Sequence, residues 1–247
     1  MPPKHALIPR DLPGLRTRVA TLRLRGPATA TTERARKLLQ LYLDNAIAQN
    51  APFAEVAKAL KSGLPAQRIA GIDLQQLAAT PPEALRRAAC APGCAFCCIL
   101  PGADGGTILE TEARALHAAL IPLRGQPDGA DWHPDACPAL DPERRMCRAY
   151  DARPMICRTY FSTDAAACES IAKGVPAPGA AVLGAQGLML SLHALARAAL
   201  DGLASAPTYA LAKLARAALD GADLPEALRL SRHPPRALED ERRRLTR

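Results

Sequence analysis

Cys90-Ala-Pro-Gly-Cys94-Ala-Phe-Cys97-Cys98, followed by Cys147-Arg-Ala-Tyr150-Asp-Ala-Arg153-Pro154-Met-Ile-Cys157-Arg158, decides how this chain is read. With Cys137 and Cys168 these strings hold all eight cysteines, and none lies outside Cys90–Cys168. Thiols gathered into one third of a chain need a common reason. Metal is the most economical one, because a structural zinc and an iron–sulfur cluster each take about four thiolates. Eight cysteines fill two such sites, or one site with thiols to spare. The expected ligands are therefore Cys90, Cys94, Cys97, Cys98, Cys137, Cys147, Cys157 and Cys168. Consecutive side chains are expected to point apart, so Cys97 and Cys98 suit two neighbouring metal atoms better than one tetrahedral ion.

Around this centre the composition is helical. Hydrophobic residues make up 49% of 247 residues, so disorder is not expected, and aromatics are only 3%. The apolar content is mostly Ala and Leu, which lose little side-chain entropy in helices. The expected fold class is mainly α, with an irregular cysteine-rich metal-binding centre, little β structure, and N- and C-terminal helices flanking it. Four stretches follow: an irregular N-terminal segment (1–30), a helical region (31–88), the cysteine-cluster domain (89–172) and a second helical region (173–247).

Pro and Gly punctuate residues 1–30 and mark them as irregular. Thr31 or Thr32 is then expected to cap a helix to about Asn50, with Leu38, Leu39, Leu41, Tyr42 and Ile47 on its apolar face. Pro52 opens a second helix that Gly63 ends, Leu74–Ala79 forms a third, and Pro81-Pro82-Glu83 starts a fourth. Thr111 is expected to cap a helix through Leu120, with Glu112 in its acidic first turn. Residues 156–163 read as a strand. Helices follow at about 180–200, 207–220, 224–232 and 235–245. Similar wording at 192–202 and 211–221 suggests helices packed on each other or on the cysteine-rich centre.

The net charge of +8 is spread through Ala-rich stretches apart from Arg242-Arg243-Arg244, so solvated helix faces are expected and nucleic acid is not the expected partner. The glycine-rich stretch 101–106 lacks the Lys-Ser/Thr of a phosphate loop and reads as a tight turn. No secretory signal is recognisable at Met1-Pro2-Pro3-Lys4-His5, and the apolar run 175–196 carries too many polar residues for a membrane span. A cytoplasmic location is expected, where clustered thiols stay reduced and favour metal over disulfides.

Residues 147–158, the Cys137-Pro138-Ala139-Leu140 step, the Cys94-x2-Cys97-Cys98 opening and Thr107-x-x-Glu-Thr-Glu112-Ala113 together resemble the YkgJ-type cysteine-cluster (CxxCxxCC) proteins, a zinc- or iron-chelating family. The chain departs from the pattern once: three residues, not two, separate Cys90 from Cys94. The resemblance spans roughly 90–170 and implies metal binding by these cysteines. A fainter similarity is to the flagellin lysine methylases, which carry a related cluster.

Tetrathiolate sites carry negative charge, and Arg153 and Arg158 are placed to offset it, with Tyr150 offering a hydroxyl to a sulfur or carbonyl. Tyr150 and Arg153 forming a loop clamp with Asp151 or Asp141 is the competing reading. His133 is expected to be a surface residue beside Trp132, with completion of a mixed nitrogen–sulfur site as the alternative, and His117 is expected to be structural. Four well-separated cysteines in the second half favour an iron–sulfur cluster of the 4Fe–4S kind, with zinc as the alternative. Electron transfer, or support of a protein or peptide modification with a protein partner, follows. The competing functions are a metalloenzyme acting on a peptide or protein, methylase-like or oxidative, and a structural-zinc adaptor that binds a protein or nucleic acid through its Arg-rich helices. The sequence does not decide whether the chain is an enzyme.

Overall fold

Asp11 opens the first helix of the chain. In the structure, a computed structural model that describes residues 8–25, 29–100, 102 and 104–245, Asp11 Oδ1 accepts from the Gly14 N–H at 2.7 Å. Helix α1 (Leu12–Thr21) follows, with Pro13 in a first turn that needs no donor and Leu12, Leu15 and Val19 buried on one face. This corrects the irregular reading of 1–30: a proline read as a breaker is a helix starter. Residues 1–7 and 26–28 of that stretch lie outside the described residues.

Helix α2 (Ala30–Ala48) starts two or three residues earlier than expected, because Thr29 rather than Thr31 or Thr32 is its cap. Thr32, Ala35, Leu39, Leu43 and Ala46 form the buried ridge, whereas Leu41 is 63% exposed. Helix α3 (Phe53–Ser62) ends at Gly63 as expected. Gly63 has φ +82°, and a Cβ there would come within 2.6 Å of Leu109. Helix α4 (Leu64–Ala79) is far longer than the expected Leu74–Ala79, since Gly63 also opens it and Pro65 occupies its first turn. Helix α5 (Glu83–Arg86) is the short element that leads to Cys90.

The chain continues through β1 (Thr107–Ile108), α6 (Glu110–Leu120) and α7 (Met155–Thr159). Next come β2 (Tyr160–Ser162), α8 (Ala165–Ala172), β3 (Ala180–Val182) and α9 (Gly184–Ala199). The last elements are β4 (Tyr209–Ala210), α10 (Leu211–Leu219), α11 (Leu224–Ser231) and α12 (Ala237–Arg244). The strand expected over 156–163 is corrected to a helix followed by a short strand. Pro154 sets the start of α7, and the Thr159 hydroxyl donates back to the Met155 carbonyl at 2.8 Å, holding one helical turn before the chain extends. Thr111 does not cap α6; the Leu109 N–H is satisfied instead by the Glu112 carboxylate at 2.8 Å. The fold is mainly helical, and its only sheets among the described residues are the two-stranded antiparallel pairs β1–β4 and β2–β3.

Two apolar cores organise these elements. Helix α9, buried on most of its surface, is the axis of the first and packs against α1, α2, α3, α4 and α12. N- and C-terminal flanks thus share one interior, which explains why α9 carries apolar residues almost all round. The second core joins α6, α10 and α11 beneath Cys137. Of the two similarly worded helices, the first belongs to one core and the second to the other, so α10 is the copy that packs on the cysteine-rich region. Among the described residues no helix is long and apolar enough to cross a membrane. The Arg242–Arg244 run is engaged within the fold: Arg242 reaches Thr32 at 3.0 Å, and Arg244 pairs with Glu241 at 2.7 Å.

Candidate metal centre

Between the two cores the chain has little regular structure and is held by a few backbone bonds. The Ala89 N–H donates to the Ser162 carbonyl at 2.8 Å, and the Cys90 thiol reaches the same oxygen at 3.9 Å. Gly93, at φ +81°, allows a tight turn in which the Cys94 N–H returns to Ala91 at 3.0 Å. Cys97 and Cys98 then occupy a single 3-10 turn, Phe96–Cys98. Its exit is tied to the next cysteine, since the Cys137 N–H donates to the Cys98 carbonyl at 2.7 Å. Leu140 bridges to Cys147 across a loop that Asp141 braces by accepting from Glu143 and Arg144 at 3.0 and 2.8 Å. Cys157 stands on α7 and Cys168 on α8.

Five separate pieces of chain therefore deliver eight thiols to one region, and all eight are free. Cys137 and Cys168 are buried, Cys94, Cys98 and Cys147 are half-buried, and Cys90, Cys97 and Cys157 are exposed. The thiols influence one another strongly. Cys98 donates to Cys97, which, with help from the Arg153 guanidinium, brings Cys97 down to about 7 and pushes Cys98 far up. Burial and neighbouring thiolates push Cys137 up to about 12 and raise Cys94, Cys147 and Cys157. The expectation that Cys97 and Cys98 diverge is corrected: their sulfurs lie against each other inside the tight turn.

Among the described residues no three Cys, His, Asp or Glu side chains meet at metal-binding distance. The sulfurs are gathered but not closed on a point. Bringing several thiolates into contact needs a cation to offset their repulsion, and binding such a cation releases their protons. The donor set is all soft sulfur, unbridged and mutually adjacent, and fits a thiophilic metal.

The neighbouring groups take definite positions. The Arg153 guanidinium lies 3.6 Å from the Tyr150 ring centroid and acts on Cys97 and Cys147, so its clamp partner is Tyr150, not Asp151 or Asp141. The exposed Arg158 acts on Glu112. His133 uses Nδ1 to accept from the Asp135 N–H at 3.1 Å, and His117 bonds the Ala222 carbonyl at 2.9 Å as a structural residue should. Two residues of the centre carried no ligand-like signal in the sequence. The Tyr160 hydroxyl lies against Cys168. Glu112, fully buried, accepts from the Met155 N–H at 2.6 Å as well as from Leu109, joining α6 to the helix that carries Cys157.

Gly129 tests how tightly the buried cysteine is held. A Cβ at this position would fall 2.2 Å from the Cys137 carbonyl oxygen and 3.2 Å from the Ala136 side chain. Gly129→Ala is expected to displace residues 136–138, lower stability by about 1–3 kcal/mol and reduce bound metal. Urea unfolding and metal content per chain read both effects, and a variant equal to wild type in each contradicts the expectation.

No curated protein and no solved structure matches the chain. Its middle third, between the two helical flanks, does match a family model, described as "CxxCxxCC: Putative zinc- or iron-chelating domain", over residues 89–173.

Proposed function

We propose that the domain holds an iron–sulfur cluster and passes electrons, or supports a modification reaction, for a protein or peptide partner. One observation carries this reading. Cys137, Cys147, Cys157 and Cys168 arrive one at a time from separate elements around the 90–98 turn, where zinc knuckles usually supply their cysteines in close pairs. An inorganic core of several atoms spans such a dispersed set better than a single ion. Cys97 and Cys157 are exposed, so a partner docking there approaches the cluster closely. Arg153 on Tyr150 and the Phe96 and Cys97 N–H groups supply the positive environment that tunes such a centre. Free thiols in this number suit a reducing compartment such as the cytoplasm.

Purification without oxygen tests the reading. A brown protein with broad visible absorption, iron and acid-labile sulfide is the expected result. A colourless protein carrying only zinc overturns the cluster and leaves metal binding in place, with the zinc-adaptor function taking over.

A further inference from the structure

Eight cysteines can divide among metals in more than one way. We infer that they make two adjoining four-thiol sites, one from Cys90, Cys94, Cys97 and Cys168 and the other from Cys98, Cys137, Cys147 and Cys157. This rests on the metal-binding reading above, but not on the choice of iron over zinc.

The first set is assembled around Ser162. Its carbonyl takes both the Ala89 N–H at 2.8 Å and the Cys90 thiol at 3.9 Å. Two residues on, Asp164 caps α8 through Ala166 and Ala167, and its own N–H donates to the Ser162 hydroxyl at 3.1 Å. That helix presents the buried Cys168 and packs against the 96–98 turn. One short segment, 160–168, therefore fixes Cys90 and Cys168 on the same side, with Tyr160 against the Cys168 sulfur. The thiols that act on Cys94 are Cys97, Cys168 and Cys90.

The second set is assembled differently. The Cys98 carbonyl takes the Cys137 N–H at 2.7 Å, and Leu140 bridges to Cys147. Cys98, Cys137 and Cys147 share the apolar core built on α6, α10 and α11. Cys157 follows Ile156, which packs under Gly106, and the thiols that act on it are Cys137 and Cys147, with Cys97 from the turn. The two sets meet at the 96–98 turn, where the Cys97 and Cys98 sulfurs touch and Cys97 also acts on Cys137, Cys147 and Cys157. A tight turn carrying two consecutive cysteines gives one to each site and keeps the two metals close.

The test is a titration of the reduced, metal-free chain with cobalt(II), followed by its thiolate charge-transfer absorption and checked by competition with zinc. Wild type is expected to take about two equivalents per chain, and Cys90→Ser/Cys168→Ser and Cys137→Ser/Cys147→Ser about one each. The far-UV spectrum shows whether these variants keep their helices. Because Cys90 is exposed, Cys90→Ser alone gives the same one-site loss with little risk to folding. A wild-type capacity of one equivalent overturns the division into two sites. So does a pair of substitutions that removes all binding, or one that removes none. A wild-type chain that takes no cobalt and no zinc refutes metal binding itself, which is a separate failure.

Discussion

Replacing Glu112 with Ala is expected to cost about 2–5 kcal/mol and to free the helix that carries Cys157. The carboxylate is fully buried and both its oxygens are used, Oε1 by the Met155 N–H at 2.6 Å and Oε2 by the Leu109 N–H at 2.8 Å. Alanine strands two buried donors, each worth about 1–3 kcal/mol when left without a partner. Met155 opens α7, and Cys157 follows two residues later, so the loss is transmitted to a proposed ligand. Glu112→Gln keeps one acceptor but sets an amide N–H₂ against the other donor, and an intermediate loss is expected. Urea unfolding reads the energy, and metal per chain reads the displacement of Cys157. An alanine variant with wild-type stability would show that the two donors find other partners. One with lowered stability but undiminished metal would uncouple α7 from the centre.

Glu112 also shows where sequence reading stops. Its place in the first turn of a helix follows from local spacing, but its bond to Leu109 replaces the Thr111 cap that spacing suggests. Met155 is 43 residues away, and no periodicity announces that pairing. Local signals served well wherever the chain pays attention only to its neighbours. The Gly63 stop, the proline start of α5, and the helices at 184–199, 211–219 and 224–231 are of this kind. They failed where one residue can serve two structures. Pro13 breaks a helix from inside and begins one from its first turn, and only the burial of Leu12, Leu15 and Val19 decides for α1. Ile156–Thr159 has the β-branched composition of a strand, yet Pro154 and the Thr159 back-bond make it helical. The cysteine motif was legible because thiol spacing is itself the signal. Tyr160 was not, since a tyrosine in a short strand looks the same whether it faces solvent or a sulfur. The long-range return of Ser162 onto Ala89 and Cys90, which divides the thiols into two sets, has no local signature either.

Stability is expected to change little with pH between about 4.5 and 6.5 in the metal-free chain, and single substitutions at two buried residues should tilt it in opposite directions. His193, wholly enclosed in α9, is pushed by burial down to about 4, from an ordinary value of 6.5. Its ring nitrogens face the carbonyls of Ala206 and Pro207 without closing a well-formed hydrogen bond. The folded chain therefore resists protonation while the unfolded chain accepts it. His193 contributes fully above pH 6.5, and about 3 kcal/mol is lost as the pH falls towards 4. Glu112 works in reverse. Burial pushes it up to about 7 from 4.5, against the pull of Leu109, Met155 and Arg158. The cost of enclosing its charge is fully present above pH 7, and about 3 kcal/mol is recovered as the pH falls towards 4.5. The two windows overlap and the two terms oppose each other. His193→Gln should leave a chain that gains stability on acidification, and Glu112→Gln one that loses it. Urea unfolding of chelator-treated, thiol-reduced chains at several pH values between 4.5 and 7 reads the slopes. Parallel profiles in wild type and both variants would mean that neither group is held as far from its ordinary range as its burial requires.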